Sequence, residues 1–286
     1  MKLYQPLVLC CCVCICIFFC GCLGPAGTVP TLEPTPVPTI TTPFPTPTPV
    51  PTTIPPATTP TPVPTMVIEN ISVNWAGYAV ETTFADPQDQ AIDAVEAVWT
   101  VPAVDCSMAQ TDYAAAFWIG IDGVSSRSVE QIGTDSDCVA GFASYFAWYE
   151  MFPKNAVLLD ITINPHDEVH TRIEYTGNNT FQFSIRNVAN GQNVTVTDTS
   201  RFARRNSAEW IAEAPTNRRR ILPLARFGPV EFTRAAVTVN GVTGPIADPL
   251  WEFQKITMQS PDGLIKANPS DLRDFGTSFQ IFWVHS

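Results

Sequence analysis

Histidine, basic side chains and cysteine outside the N-terminal segment are scarce in this 286-residue sequence, and each shortage argues against a class of protein. None of the three histidines lies near a suitable serine, and no G-x-S-x-G segment occurs, which disfavours a Ser/His/Asp hydrolase. Sixteen Lys and Arg against 27 Asp and Glu leave a net charge of −11, without the basic patch that nucleic-acid binding requires. Beyond residue 22 only Cys106 and Cys138 remain, with no CxxC pair to bind zinc.

His166 and His170 have the spacing of a metal-binding pair but not its context. In a zinc protease the two histidines sit one helical turn apart and Glu follows the first, whereas here Asp167 takes that place. The segment runs into a strand-like stretch, where residues four apart are separated by roughly 13 Å. We therefore expect no metal site and no cofactor.

Residues 1–22 are predicted to be a lipoprotein-type signal peptide. Lys2 supplies a positive start, an apolar run follows over 6–19, and the string FCGC ending at Cys22 resembles a lipobox whose last cysteine is lipid-modified. An uncleaved signal anchor and full release are the alternatives. All three place the rest of the chain outside the cytoplasm, and the first two attach it to the cell-surface membrane.

Residues 23–65 are predicted to form a disordered stalk. This segment is dominated by Pro and Thr, as in TPTPVPTTIPPATTPTPVP, and it has almost no charge. Such a composition cannot bury enough apolar area to offset the entropy of ordering, and proline keeps it extended. The folded domain is therefore expected over 66–286.

The hydrophobic pattern of 66–286 has a period of two, which is typical of β-strands. Runs rich in β-branched and aromatic residues alternate with turn signals, as in AVLLDITIN (156–164) and TFQFSIRNV (180–188). Only RRNSAEWIAEA (204–214) is compatible with a helix, and Pro215 limits it. Many short strands without a βαβ rhythm predict an all-β, antiparallel sandwich or barrel.

Several aromatic-rich blocks place Asp, Glu, Gln or Asn near tryptophan, which strand packing alone does not explain. They are NWAGYAV (74–80), VWTVPAV (98–104), FWIGIDG (117–123), VEQIG (129–133), AWYEMFP (147–153) and SAEWIAEAP (207–215). On a strand, the polar groups of a block lie on one face and the apolar neighbours on the other. A concave face lined by Trp and Tyr with a few polar groups suits an extended polymer.

In this order the blocks resemble the eqolisins, the glutamic peptidases, from about Asn74 to Trp283. The resemblance implies a β-sandwich of two curved antiparallel sheets with a concave substrate cleft. It implies catalysis by Glu209, in the AEW block, and by Gln131, in the block that follows FWIGIDG. It also assigns substrate-binding or supporting roles to Trp118, Asp122, Glu150, Trp75 and Tyr149.

A Glu/Gln pair suits peptide-bond hydrolysis in acid. A carboxylate with a pKa of about 4 remains partly ionised where histidine is fully protonated. Glu209 would take a proton from water and pass it to the leaving amine, while Gln131 would orient the water and hold the oxyanion. If Arg204 and Arg205 lie close to Glu209, they should lower the pKa of its carboxyl.

The sequence therefore predicts an acid-active endopeptidase that acts on polypeptides as a monomer, without a nucleic-acid partner. The alternative is a non-catalytic carbohydrate- or peptide-binding β-sandwich on a surface lipoprotein, or a structural surface component. Cys106 and Cys138 are predicted to form a disulfide, because they are the only cysteines of the domain and the compartment is oxidising.

Overall fold

The structure, a computed structural model, describes residues 67–107, 111–217 and 220–286. The predictions for the signal peptide, for Cys22 and for the stalk therefore lie outside the described residues. None of the described residues forms a helix long and apolar enough to cross a bilayer.

Eighteen β-strands and one 3-10 turn, Asp274–Gly276, make up the regular structure of the described residues. In chain order the strands are β1 Ile68–Ser72, β2 Trp75–Glu81, β3 Ile92–Thr100, β4 Ala116–Ile121, β5 Val129–Val139, β6 Phe142–Phe152, β7 Val157–Leu158, β8 Glu168–Gly177, β9 Thr180–Asn187, β10 Asn193–Thr199, β11 Ser207–Glu213, β12 Thr216–Asn217, β13 Arg220–Ile221, β14 Val230–Val239, β15 Val242–Pro245, β16 Glu252–Gln259, β17 Ile265–Pro269 and β18 Phe279–Trp283. The all-β prediction is confirmed.

Sixteen of the strands form two layers that hydrogen bonds connect into one continuous sheet, and β12 and β13 form a separate pair. The first layer has the order β10-β9-β8-β3-β14-β18-β17, and the second has β16-β2-β11-β4-β5-β6-β7. Pairing of β17 with β16, where Ala267 lies opposite Met258, joins the layers at one edge. Strands β3 and β8 contact β4 and β5 across the interior, so the layers stack as a sandwich. β1 adds to β16 in parallel, whereas the pairs along both layers are antiparallel.

The central strands of the second layer are buried on both faces, which explains their long apolar runs. In β4, Phe117, Ile119 and Ile121 join the core between the layers, while Ala116 and Trp118 belong to a separate buried cluster on the opposite face. Alternation along each strand sends neighbouring residues to opposite faces. The opposite face is where the polar residues of the aromatic blocks converge.

One local prediction changed in the structure: only Val157–Leu158 of the strand predicted over 156–164 is a strand. The segment 204–214, which was also compatible with a helix, contains strand β11 over Ser207–Glu213. Beyond Leu158, side chains occupy the backbone groups that a ladder would use. Asn187 donates to the Thr162 carbonyl at 2.9 Å, and the Thr162 amide donates to Gln192 at 2.9 Å.

The predicted disulfide is present. Cys106 and Cys138 are bonded, with their Cα atoms 5.4 Å apart. The loop that they close contains β4 and most of β5, and these strands carry Trp118 and Gln131. The bond therefore restrains the segment from which half of the candidate site is built.

Candidate active site

A row of polar side chains crosses the second layer on the face away from the core. Glu209 of β11 lies opposite Gly120 of β4, Gly120 lies opposite Gln131 of β5, and Gln131 lies opposite Glu150 of β6. Residues that pair directly across a sheet project to the same face. Glu209, Gln131 and Glu150 are therefore brought together on one surface, although they come from three separate blocks of sequence.

Gly120 leaves the space between the two candidate catalytic residues open. Strands two positions apart are separated by roughly 10 Å, so the side chains of Glu209 and Gln131 can approach each other over the intervening strand. A Cβ atom on residue 120 would lie 2.7 Å from Cζ3 of Trp118 and 3.3 Å from Oε2 of Glu209. Any side chain larger than hydrogen would enter this space.

Gln131 is buried and is oriented by Glu150. Its Nε2 donates to Oε2 of Glu150 at 2.6 Å, and its Oε1 has no protein partner among the described residues. Burial raises the pKa of Glu150, while the hydrogen bond from Gln131 opposes that effect. Because an amide nitrogen carries two hydrogens, one N–H of Gln131 remains free for a water or an oxyanion.

Glu209 is fully buried, which differs from the carboxylate of ordinary pKa expected from the sequence. Neither of its oxygens has a hydrogen-bond partner in the part of the chain that the structure describes. Burial raises the pKa of Glu209 well above 4.5, the nearby hydroxyl of Ser207 has the opposite effect, and the carboxyls of Asp122, Glu81 and Glu130 raise it further. An unpaired buried carboxyl favours its neutral form and requires a water or a substrate as partner.

Arg204 and Arg205 do not lower the pKa of Glu209, because their side chains point to other groups. The Arg204 guanidinium donates to Asp89 at 2.8 Å. The Arg205 guanidinium donates to Asp93 at 3.0 Å and lies 3.8 Å from the ring centre of Tyr175. The expectation drawn from the sequence applied only if these side chains lay close to Glu209, and their guanidinium groups bond to other residues instead.

Asp122 holds the segment that leads into β11. Its carboxylate accepts backbone N–H groups from Arg204 at 2.7 Å, from Arg205 at 2.9 Å and from Asn206 at 3.1 Å. Ser207 follows directly and begins the strand that carries Glu209. Asp122 thus positions the backbone just before β11.

Cavities lie on both sides of Trp75 on this face. One of about 440 Å³ is bordered by Trp75, Gln131, Glu150 and Trp148. A smaller one of about 300 Å³ is bordered by Trp75 together with Gln254 and residues of β1. A third cavity, of about 620 Å³, lies on the outer face of the first layer and contains none of the predicted site residues.

The structure brings Trp118 and Trp75 together but places Tyr149 elsewhere. The two indole rings meet edge to face with their centres 5.0 Å apart. Tyr149 lies on the core face, where its ring centre is 5.4 Å from that of Phe183. Trp148 borders the cleft instead, because neighbouring residues of a strand face opposite sides. The cleft role expected for Tyr149 is therefore wrong.

Two acidic residues of the cleft were missed in the sequence. Glu213 accepts hydrogen bonds from Nδ2 of Asn74 and from Nε1 of Trp118, both at 2.9 Å, and Asp135 accepts one from Nε1 of Trp148 at 2.6 Å. Burial raises the pKa of Glu213 to about 7. Glu213 lies four residues after Glu209, and an even number of residues along a strand is the signal that could have placed both on one face.

Among the described residues, no group of three or more His, Cys, Asp or Glu side chains is arranged to hold a metal ion. His170, one of the two histidines with metal-like spacing, lies with its Nε2 2.8 Å from Oε1 of Glu168.

Comparison with known proteins identifies relatives of this fold and of these sequence blocks. Aspergillopepsin-2 of Aspergillus niger is 35% identical over 140 residues, which cover 47% of this chain and 50% of that protein, so the match spans half the length of this curated relative. The crystal structure of scytalido-glutamic peptidase with a peptide-based transition state analog superposes with a TM-score of 0.62 at 25% identity, covering 74% of this chain and 99% of that one. Aspergilloglutamic peptidase from Aspergillus niger gives a TM-score of 0.54 at 30% identity, with coverages of 60% and 99%.

A model of a whole protein family also matches most of the chain. A model of the peptidase A4 family matches residues 73–269, which include every block of the resemblance and all the residues of the polar row. The resemblance to the glutamic peptidases is thus confirmed over residues 73–269. The chain belongs to the peptidase A4 family.

Proposed function

We propose that this protein is an endopeptidase that hydrolyses peptide bonds in acid, with Glu209 and Gln131 as its catalytic residues. The observation that carries the proposal is their placement on one face, on either side of Gly120. Both have polar atoms without a protein partner among the described residues, and Gly120 between them has no side chain to fill the space. A water and a scissile amide would supply the missing partners.

In the proposed reaction Glu209 acts twice, first as a base and then as an acid, while Gln131 donates a hydrogen bond. In its ionised form Glu209 accepts a proton from the attacking water, and the free N–H of Gln131 donates to the oxyanion that develops on the carbonyl. Glu209 then returns the proton to the leaving amine. The raised pKa of Glu209 suits this second step, and hydrogen bonds from water would favour the ionised form needed for the first.

Acid is the proposed working range because several buried carboxyls are neutral only at low pH. Burial raises the pKa of Glu81 and of Glu213 to about 7 and that of Asp137 to about 6. Below these values the carboxyls are neutral and cost little to bury. As the pH rises, each must carry a buried charge, which destabilises the folded state.

An extended polypeptide is the proposed substrate. The cavities on both sides of Trp75 would accommodate residues on both sides of the scissile bond, which favours cleavage within a chain. The structure of scytalido-glutamic peptidase holds a peptide-based transition state analog, so a relative of similar fold accepts a ligand of this class.

The test is hydrolysis of an unfolded protein by the full-length chain at pH 4, with a matched pair of variants. Glu209→Gln keeps the size of the side chain but removes the base, and turnover should fall by about 10²–10⁴. Glu231→Gln changes an exposed carboxylate that pairs with Arg273, far from the row, and should leave the rate unchanged. Wild-type protein that binds polypeptides or glycans without cleaving them would support the binding-module alternative instead.

We also propose that the N-terminal segment attaches the enzyme to a membrane through a lipid on Cys22. The basis is the lipobox-like string that ends at this residue. Cys22→Ala should abolish incorporation of labelled fatty acid and change the processed length of the chain. Recovery of unprocessed wild-type protein that starts at Met1 would contradict the lipid and favour the uncleaved anchor.

A further inference from the structure

The polar row continues on the other side of Glu209, where it ends in a second glutamine. Glu209 lies opposite Ala79 of β2, and Ala79 lies opposite Gln254 of β16. Gln254 and Gln131 therefore flank Glu209 symmetrically, each two strands away with a residue of little or no side chain between. Direct pairing places Gln254 on the face that carries Glu209.

Neighbouring hydrogen bonds fix the direction of the Gln254 amide. Oδ1 of Asn70 accepts the backbone N–H of Ile71 at 2.8 Å, so the nitrogen Nδ2 of Asn70 must be the atom that faces Gln254. That nitrogen donates to Oε1 of Gln254 at 3.1 Å. The Nε2 group of Gln254 consequently points the other way, and it has no acceptor within the described part of the chain.

Gln254 borders the smaller cavity beside Trp75. Gln254 is only 4% exposed, and its neighbours around the cavity include Trp75, Val124 and Ile256. A buried N–H without an acceptor in such surroundings is rare unless a ligand or a water completes it. The apolar neighbours and the absence of a charge on the amide favour a neutral acceptor.

We infer that Gln254 is a substrate-binding residue whose Nε2 donates a hydrogen bond to a main-chain carbonyl of the polypeptide. This inference rests on the proposed function and extends it. Gln131 and Glu150 border the cavity on one side of Trp75 and Gln254 borders the cavity on the other. Gln254 therefore binds the part of the substrate that lies across the scissile bond from the larger cavity. Because the contact is to the main chain, it does not depend on the side chains of the substrate.

The test compares Gln254→Met with the wild type on one long peptide and on two series that are shortened from either end. Methionine keeps the length of the side chain and removes the donor. The value of kcat/KM for the long peptide should fall roughly tenfold, mainly through KM, as for loss of one hydrogen bond to a neutral group. Peptides too short to reach the cavity should be cleaved equally by both proteins. In Gln254→Met, kcat/KM should therefore no longer depend on peptide length in one of the two series.

Three outcomes separate the possibilities. An unchanged dependence on length in Gln254→Met, or an equal loss on every peptide as for a purely structural role, would overturn the inference. Failure of the proposed function looks different, because the wild type would then cleave none of the peptides and Glu209→Gln would change nothing.

A second pair of variants tests the direction of the amide while leaving Gln254 intact. Asn70→Asp offers only an acceptor when ionised, so the Gln254 amide should turn its Nε2 toward residue 70 and its oxygen into the cavity. At a pH above the ordinary aspartate pKa of about 3.9, the fall in kcat/KM for the long peptide should match that of Gln254→Met. Asn268→Asp adds the same charge at an exposed position that bonds Thr257 and should have no effect. If kcat/KM of Asn70→Asp depended on peptide length as it does in the wild type, the direction assigned to the Gln254 amide would be overturned.

Discussion

Replacing the buried Glu81 by glutamine should stabilise the protein at neutral pH but not in acid. The side chain of Glu81 is fully buried at the end of β2, where Oε1 accepts the hydroxyl of Ser125 at 2.7 Å. Its Oε2 has no partner among the described residues. Glutamine has almost the same shape and keeps an acceptor for Ser125, but it cannot ionise.

The expected magnitude follows from the pKa of this carboxyl. Burial raises the pKa of Glu81 from 4.5 to about 7, so between these values the folded state holds a proton that the unfolded state has lost. The free energy of unfolding therefore falls as the pH rises through this window. Each tenfold change in the ionisation constant is worth about 1.36 kcal/mol, which gives about 3.4 kcal/mol in total. Relaxation around a buried charge usually reduces such a figure, so we expect about 2 kcal/mol.

The assay is urea unfolding of wild type and Glu81→Gln at pH 4 and pH 8, at one ionic strength. The difference in unfolding free energy between the two proteins should shift by about 2 kcal/mol in favour of the variant from pH 4 to pH 8. Glu69→Gln, at an exposed position of β1, is the matched control and should show no such shift. An equal difference for Glu81→Gln at both pH values would refute the argument that Glu81 is buried as a neutral acid.

Three further predictions concern the geometry of the site. Gln131→Ala should lower kcat by about 10²–10³ with little change in KM, because the amide acts on the developing oxyanion; a change confined to KM in steady-state kinetics would make Gln131 a binding contact. Gly120→Ala should lower turnover at least tenfold while circular dichroism shows a folded protein, because the new methyl group would lie against Trp118 and Oε2 of Glu209. Replacing Cys106 and Cys138 together by alanine should lower the free energy of unfolding by about 3–4 kcal/mol, and urea unfolding that matches the wild type would contradict this.

The sequence alone was sufficient for properties that depend on local pattern. A period of two and the turn residues between the runs predicted strands over most of the domain, and the same alternation implies that Glu209 and Glu213 share a face. Only one pairing was open to Cys106 and Cys138, and the bond is present. The order of the aromatic blocks indicated the family, and with it the two residues proposed for catalysis.

Alternation did not decide which face of a strand borders the cleft when both faces are aromatic or apolar. Trp148 and Tyr149 are neighbours of similar character, and only the packing of Tyr149 against Phe183 of the other layer settles which one faces the core. The prediction of a strand over 156–164 was wrong because contacts from a distant part of the chain decided the backbone pairing there. Asn187 and Gln192 belong to a distant stretch of the chain, and their side chains occupy the backbone groups of Thr162.

The electrostatic character of the site was decided by the tertiary structure. A pKa depends on the water and the charges around a group, and these are contributed by segments far apart in the chain. Glu209 is therefore a fully buried carboxyl beside Asp122 and Glu81, although its sequence neighbours include two arginines that point away from it. The same holds for Gln254, whose amide has a direction only because β1 brings Asn70 against it. Sequence determines which groups are available, but strand register and burial determine which of them meet and in which protonation state.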